Sequence, residues 1–171
     1  LRLARGDDAL KAEIRGLLRA YNDDIILGRS MTVFAKVVEA LWRIWLSEDL
    51  QKAHTSVDND GRRYTHPGDV AKIANELIDK ENTLDDEEEE GQPQGKYKKS
   101  LTSPGVGRYM KNDLGLVPGG RKNTGIAYYF DENEIRLTGL AKRYGVSVEE
   151  IRKDIEDAAG KKPVEQKKIA F

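Results

Sequence analysis

The residues of this chain best suited to chemistry are those that hold phosphate groups and reach the edges of nucleobases: Lys98, Lys99, Ser103, Arg108, Lys111, Asn112, Arg121, Lys122 and Asn123. Ammonium and guanidinium groups neutralise phosphates, a hydroxyl can donate to a phosphate oxygen, and an Asn amide can pair with an adenine edge. Between Lys96 and Tyr129 there are seven basic residues and a single acid, Asp113, although the whole chain carries a net charge of −1. Gly105 and Gly107 fall beside Arg108, Lys111 and Asn112 on one helical face. Each glycine costs a helix about 1 kcal/mol relative to alanine. Close approach of that face to a nucleic-acid backbone explains the cost; tight packing against the rest of the protein is the alternative.

The elements that must position these groups are a helix and a hairpin. Ser103 and Pro104 form a helix start, and Val106, Tyr109, Met110 and Leu114 recur at the spacing of a buried face, which predicts a helix over Pro104 to Asp113. Gly115 ends it, Leu116 to Pro118 opens an extended segment, Gly119 to Gly125 is turn material carrying Arg121 and Lys122, and Ile126 to Phe130 is a second strand.

Upstream, Leu10, Ile14, Leu17, Leu18, Tyr21 and Ile25 mark an amphipathic helix from Ala9 to about Ile26, broken by Gly28. A second helix, capped by Ser30 or Thr32 and ending near Leu46, carries the widest apolar stripe, with Trp42 and Trp45 read as packing residues. Glu48 to Arg62 has no clear period and contains the turn Asn59, Asp60, Gly61, so it reads as a loop before a short strand at Arg63 and Tyr64. Thr65 then caps a helix with Val70, Ile73, Ala74, Leu77 and Ile78 inside and His66 exposed beside the cap. Asp85 to Glu90 is an unbroken run of six acids, and positions 83–96 read as a disordered acidic insertion. The run is a solvated loop or a mimic of phosphate charge that competes for the basic patch. After the hairpin, Asp131 or Asn133 caps a helix through Tyr144 with Ile135, Leu137, Leu140, Ala141 and Tyr144 inside; Gly145 stops it, and Ser147 with Glu150 opens a last helix whose Val148, Ile151 and Ile155 face inward. A lysine-rich tail follows Gly160.

Several function classes lack the residues they need. The chain has no Cys and only His54 and His66, so neither a thiolate metal site nor His-dependent catalysis is expected, and no cofactor is. No G-x-x-x-x-G-K-[ST] phosphate loop is present, and Gly105-Val106-Gly107 and Gly119-Gly120 lack the βαβ setting of a dinucleotide fingerprint. No nucleophile and base are brought together by spacing, so the chain is not read as an enzyme. No apolar run approaches the roughly 18 residues of a membrane span, and the absence of Cys suggests a reducing, cytoplasmic setting. The opening at Leu1, within a charged helical pattern, reads as a domain cut from a longer protein. No heptad seam argues for a dimer.

The order of strong helix, short strand, helix, loop, basic helix, hairpin and helix over Thr32 to Gly145 resembles a winged-helix (winged helix-turn-helix) domain. The resemblance implies a mainly α fold with a small β-hairpin wing, divided into an N-terminal helical extension (1–29), the winged-helix domain (30–146), and a C-terminal helix with a basic tail (147–171). It also implies that the helix Pro104 to Asp113 is the recognition helix and Leu116 to Tyr129 the wing. The phrases RRYTHPGDVAKIANEL, TSPGVGRYMKNDLGL and LAKRYGV are similar to the C-terminal DNA-binding regions that follow the ATPase core in phage, plasmid and archaeal-type replicative helicases and primase-helicases. By that resemblance the partners are duplex or forked DNA and the remainder of a larger ATPase. The alternative expectation is a regulatory domain that docks on protein and does not bind DNA.

Overall fold

The computed structural model describes residues 8–30, 32–88, 100–122 and 125–160. Lys98, Lys99, Asn123, positions 89–96 and the tail beyond Gly160 lie outside the described residues. Among the described residues the chain is mainly helical with small antiparallel sheets.

The core is built on α2 (Val33–Leu46), which packs against the helices before and after it in the chain. Its start follows from Thr32, whose hydroxyl accepts the Ala35 amide at 3.4 Å. Val37, Val38, Leu41 and Trp42 are buried on it, as the stripe predicts, and Ala35, Ala40 and Ile44 are buried beside them. α1 (Asp8–Ser30) precedes it and runs through Gly28, which therefore does not break the helix. A lone glycine lowers helix stability by about 1 kcal/mol and terminates nothing by itself.

The segment expected as a loop from Glu48 to Arg62 instead holds α3 (Glu48–His54) and strand β1 (Ser56–Val57). Ser47 caps α3 through the Leu50 amide at 3.4 Å, with Glu48 and Asp49 in the first turn and Lys52 and His54 in the last, the arrangement a helix dipole favours. No residue of α3 is fully buried, which is why it shows no apolar period. The turn at Asn59, Asp60 and Gly61 forms as read, and leads to β2 (Arg63–Thr65).

Helix α4 (Pro67–Glu88) is not capped by Thr65. The Thr65 hydroxyl donates to the His54 carbonyl at 3.0 Å, and it is the His66 carbonyl that accepts the Asp69 and Val70 amides at 3.0 and 3.2 Å. His66 is buried, 8% exposed, not an exposed neighbour of the cap. The helix also continues beyond Thr83, so 83–88 are helical rather than disordered. Glu and Leu are good helix formers, and extending an existing helix costs far less than nucleating one.

After α4 come α5 (Ser103–Arg108) and a π-helical turn (Tyr109–Asp113), then β3 (Arg121–Lys122), β4 (Gly125–Ile126), β5 (Tyr128–Tyr129), α6 (Phe130–Tyr144) and α7 (Val148–Gly160). β3 and β4 form an antiparallel hairpin in which Arg121 pairs with Ile126, and the ladder continues through the Gly119 amide to the Ala127 carbonyl at 2.9 Å. β5 then lies antiparallel to β2, Tyr64 opposite Tyr129, giving the order β1, β2, β5. The hairpin is thus fastened at its root to the strand that leads into α4.

Phe130, read as the end of a strand, starts α6, and its ring stacks on Trp45 at 3.9 Å with Trp42 edge-on at 5.2 Å. Neither Asp131 nor Asn133 caps that helix; Tyr129 occupies the cap position. Ile135, expected inside, is 92% exposed. Gly145 stops α6 in a left-handed conformation with φ 66°, and Ser147 caps α7 through the Glu150 amide at 3.2 Å.

Asp58 joins the sheet to its turn. Its Oδ1 accepts the Asp60 and Arg62 amides at 3.0 and 2.9 Å, and its Oδ2 accepts the Tyr129 hydroxyl at 2.8 Å. Desolvation pushes the carboxyl pKa up, but the hydrogen bonds from Arg62, Tyr129 and Asp60 together outweigh it and hold the group below its ordinary value. A depressed folded pKa contributes stability in full above the unfolded value of about 3.9 and loses it as pH falls through the folded one. Asp58→Asn is therefore expected to lower the melting temperature at pH 7, and the gap from the unsubstituted chain to narrow in melts taken below pH 4.

Candidate nucleic-acid interface

The sequence places α5 beside α4, and two asparagines hold it there. Asn75 on α4 donates to the Leu101 carbonyl at 3.0 Å and accepts the Leu101 amide at 2.7 Å, fixing the chain before α5. Asn133 on α6 does the same to Val117 beyond the π turn, accepting its amide at 2.7 Å and donating to its carbonyl at 3.1 Å, and donates to the Tyr129 carbonyl at 2.8 Å as well. An amide side chain presents one donor and one acceptor face, so it can replace a strand neighbour.

The start of α5 differs by one residue from expectation. Thr102, not Ser103, is the cap, its hydroxyl accepting the Gly105 amide at 3.3 Å. The helix also does not continue as one α-helix to Asp113. From Tyr109 it widens into a π turn in which the Leu114 amide bonds the Tyr109 carbonyl at 2.9 Å. Val106, Met110 and Leu114 are fully buried, as the spacing predicts.

Gly107 sits over α4, where an added Cβ would lie 3.3 Å from Pro67 Cγ. Gly68 faces Ser103 in the same crossing, with an added Cβ 3.4 Å from its Oγ. Protein packing therefore accounts for Gly107, and an approach to an outside backbone is not needed to explain it. Gly105 stands over the Thr102 cap, an added Cβ lying 3.1 Å from Thr102 Oγ1.

Between the first turn of α4, α5 with its π turn, and β4 runs an open groove of about 610 Å³. Of the predicted site residues, Ser103, Arg108, Lys111 and Asn112 line it. All four are exposed. Arg121 and Lys122 stand on the neighbouring hairpin and not in the groove wall; Arg121 is exposed, and the Lys122 ammonium lies 5.9 Å from the Tyr64 ring centre.

Lys72, Asp69 and His66 also line the groove, and the sequence reading missed them. Lys72 lies one helical turn beyond Gly68, on the face of α4 opposite Val70, Ile73 and Ala74, and that polar spacing was the available signal. Asp69 is the acid among these cations, and it is itself engaged: its Oδ1 lies 3.4 Å from His54 Nδ1 and 3.8 Å from Lys72 Nζ. His66 Nδ1 lies 3.0 Å from the Ile126 carbonyl, so that nitrogen donates and the ring links α4 to the hairpin.

The acidic run does not stand at this groove over the part that is described. Gly68 is at the groove end of α4, and at 1.5 Å rise per residue Asp85 is about 26 Å further along the helix, beyond the roughly 10 Å reach of a charge in 0.1 M salt. Glu89 and Glu90 lie outside the described residues. No group of His, Cys, Asp and Glu suited to a metal ion occurs among the described residues, and no helix among them is long and apolar enough to cross a membrane.

No protein-family model matches the chain, and neither does a curated protein or a solved structure.

Proposed function

We propose that the chain is a winged-helix DNA-binding module that acts within a larger replicative ATPase of the helicase or primase-helicase kind. The observation that carries the DNA reading is the convergence of Lys72, Arg108 and Lys111, contributed by two helices, on one open groove flanked by the hairpin that bears Arg121 and Lys122. Separate elements aiming cations at a common trough suit a phosphodiester backbone, which needs positive charge along a line and little else. The succession of helix, strand, helix, helix and hairpin, with β2 laid against β5, supports the winged-helix assignment. The parent ATPase rests on the sequence resemblance alone.

In this reading Arg108 and Lys111 neutralise phosphates from α5 and its π turn, Lys72 does so from α4, and Asn112 reaches a base edge. Ser103 donates to a phosphate oxygen at the groove end nearest Gly68. The hairpin adds Arg121 and Lys122 on the flank. Fluorescence anisotropy of a labelled duplex across a salt series tests it. With five cations each neutralising a phosphate, the logarithm of affinity should fall against the logarithm of salt concentration with a slope of about −4.5, at −0.9 per neutralised phosphate. Absence of binding at low salt would remove the DNA reading and leave the module as a protein-docking domain, a role that the exposed apolar residues of α1 favour independently.

A further inference from the structure

The ladder between β2 and β5 stops where Thr65 stands opposite Tyr128. The next residue, His66, gives its carbonyl to α4, accepting the Asp69 and Val70 amides at 3.0 and 3.2 Å, so its backbone is spent on the helix. The hairpin strand runs on past that point. Ala127 turns its amide and carbonyl toward the facing strand, donating to the Gly120 carbonyl at 3.0 Å and accepting the Gly119 amide at 2.9 Å. Neighbouring residues of a strand aim these groups to opposite sides, so the Ile126 carbonyl points out of the hairpin. The His66 imidazole meets it there, Nδ1 donating at 3.0 Å. A side chain thus supplies the rung that the backbone cannot.

We propose, on the DNA reading above, that His66 is the positioning residue that holds the hairpin against the groove, so that Arg121 and Lys122 act on the same duplex as Lys72, Arg108 and Lys111. β3 and β4 are two residues each, and a ribbon that short has little stability of its own, so its direction is set by what fastens its root. The bonds that Tyr129 makes to Asp58 and Asn133 fix β5, behind Ala127. The His66 bond acts ahead of it, on β4 itself. His66, Gly125 and Ile126 all line the groove, so this bond lies where α4 and the hairpin meet in its wall. Arg121 pairs with Ile126, and cross-strand partners share a face, which puts Arg121 on the side of the hairpin that carries Ile126. The imidazole is held in turn: the residue is 8% exposed, and the Tyr64 ring stands edge-on to it at 5.3 Å.

His66→Asn and His66→Leu make the matched test. The Asn amide nitrogen can stand where Nδ1 does, and Leu has the same branched shape with no donor. In a salt series on a labelled duplex, His66→Asn should keep a slope of about −4.5. His66→Leu should lose the hairpin's two phosphates, a slope change of about 1.8, and bind about 60-fold more weakly at 0.1 M salt. Adding Arg121→Ala and Lys122→Ala to His66→Leu should then cost nothing more, because those are the cations that His66 positions. A merely structural role would lower the melting temperature and leave the slope where it was. Equal slopes for the Asn and Leu variants overturn the proposal, as does a further loss in the triple variant. If circular dichroism shows His66→Leu unfolded, His66→Asn decides against the unsubstituted chain, and a slope of about −2.7 overturns the proposal. A slope that Arg121→Ala with Lys122→Ala does not move overturns it as well and leaves the groove reading standing, whereas absence of duplex binding by the unsubstituted chain removes both.

Discussion

Alanine at Lys72, Arg108 and Lys111 together is expected to reduce the salt slope of duplex binding by about 2.7, three contacts at 0.9 each. At 0.1 M salt each lost contact weakens binding by about 0.9 logarithmic units, so the triple variant should bind on the order of several hundred times more weakly. All three side chains are exposed, so the fold should survive, which circular dichroism checks. The hairpin provides the comparison. Arg121→Ala with Lys122→Ala should lower the slope by about 1.8 and leave any sequence preference intact, whereas Asn112→Ala should leave the slope alone and disturb preference. A slope that the groove variant does not move would mean that the phosphates run elsewhere, whatever the affinity. Lys72 is the most informative of the three, because it tests the groove rather than the basic stretch that the sequence already singles out.

Gly119→Ala is expected to be the most damaging small substitution in the hairpin. The new Cβ would stand 2.1 Å from Tyr129 Cδ2 and 2.2 Å from Cε2, far inside contact distance. The ring cannot step aside cheaply. Its hydroxyl is bonded to Asp58 at 2.8 Å, the Arg62 guanidinium lies 4.3 Å from its centre, and the residue is 2% exposed. Gly119 is fixed too, its amide bonded to the Ala127 carbonyl at 2.9 Å. Forced overpacking of this kind costs about 3 kcal/mol, which for a chain of this size lowers the melting temperature by roughly 6 to 12 °C. Gly139→Ala is the control. That glycine lies within α6, exposed, with no atom near the added Cβ, and the change should stabilise the chain by about 0.5 to 1 kcal/mol. If Gly119→Ala melts like the unsubstituted chain, the hairpin root is looser than its hydrogen bonds imply.

The elements legible along the chain are those whose signals are local and periodic. The stripe of α2, the inner faces of α4 and α7, the buried side of α5, the glycine stop at Gly145 and the presence of a hairpin between Leu116 and Phe130 follow from spacing and turn residues, although its first strand is Arg121–Lys122, read as turn material, and not Leu116 to Pro118. Four of the candidate site residues share a groove for the same reason: they lie on the outward side of one short helical stretch or beside its cap. The remaining features depend on contacts between distant parts of the chain. α3 buries no residue completely and so shows no period, and Ile135 follows a helical spacing yet meets no neighbour. Whether a Thr or Asn near a helix start caps it depends on what else its side chain can reach: Thr65 reaches His54, and Asn133 reaches Val117 and Tyr129. Lys72 joins the site only because α4 crosses α5 where Gly68 meets Ser103 and Gly107 meets Pro67, pairs 35 and 40 positions apart that no window along the chain contains.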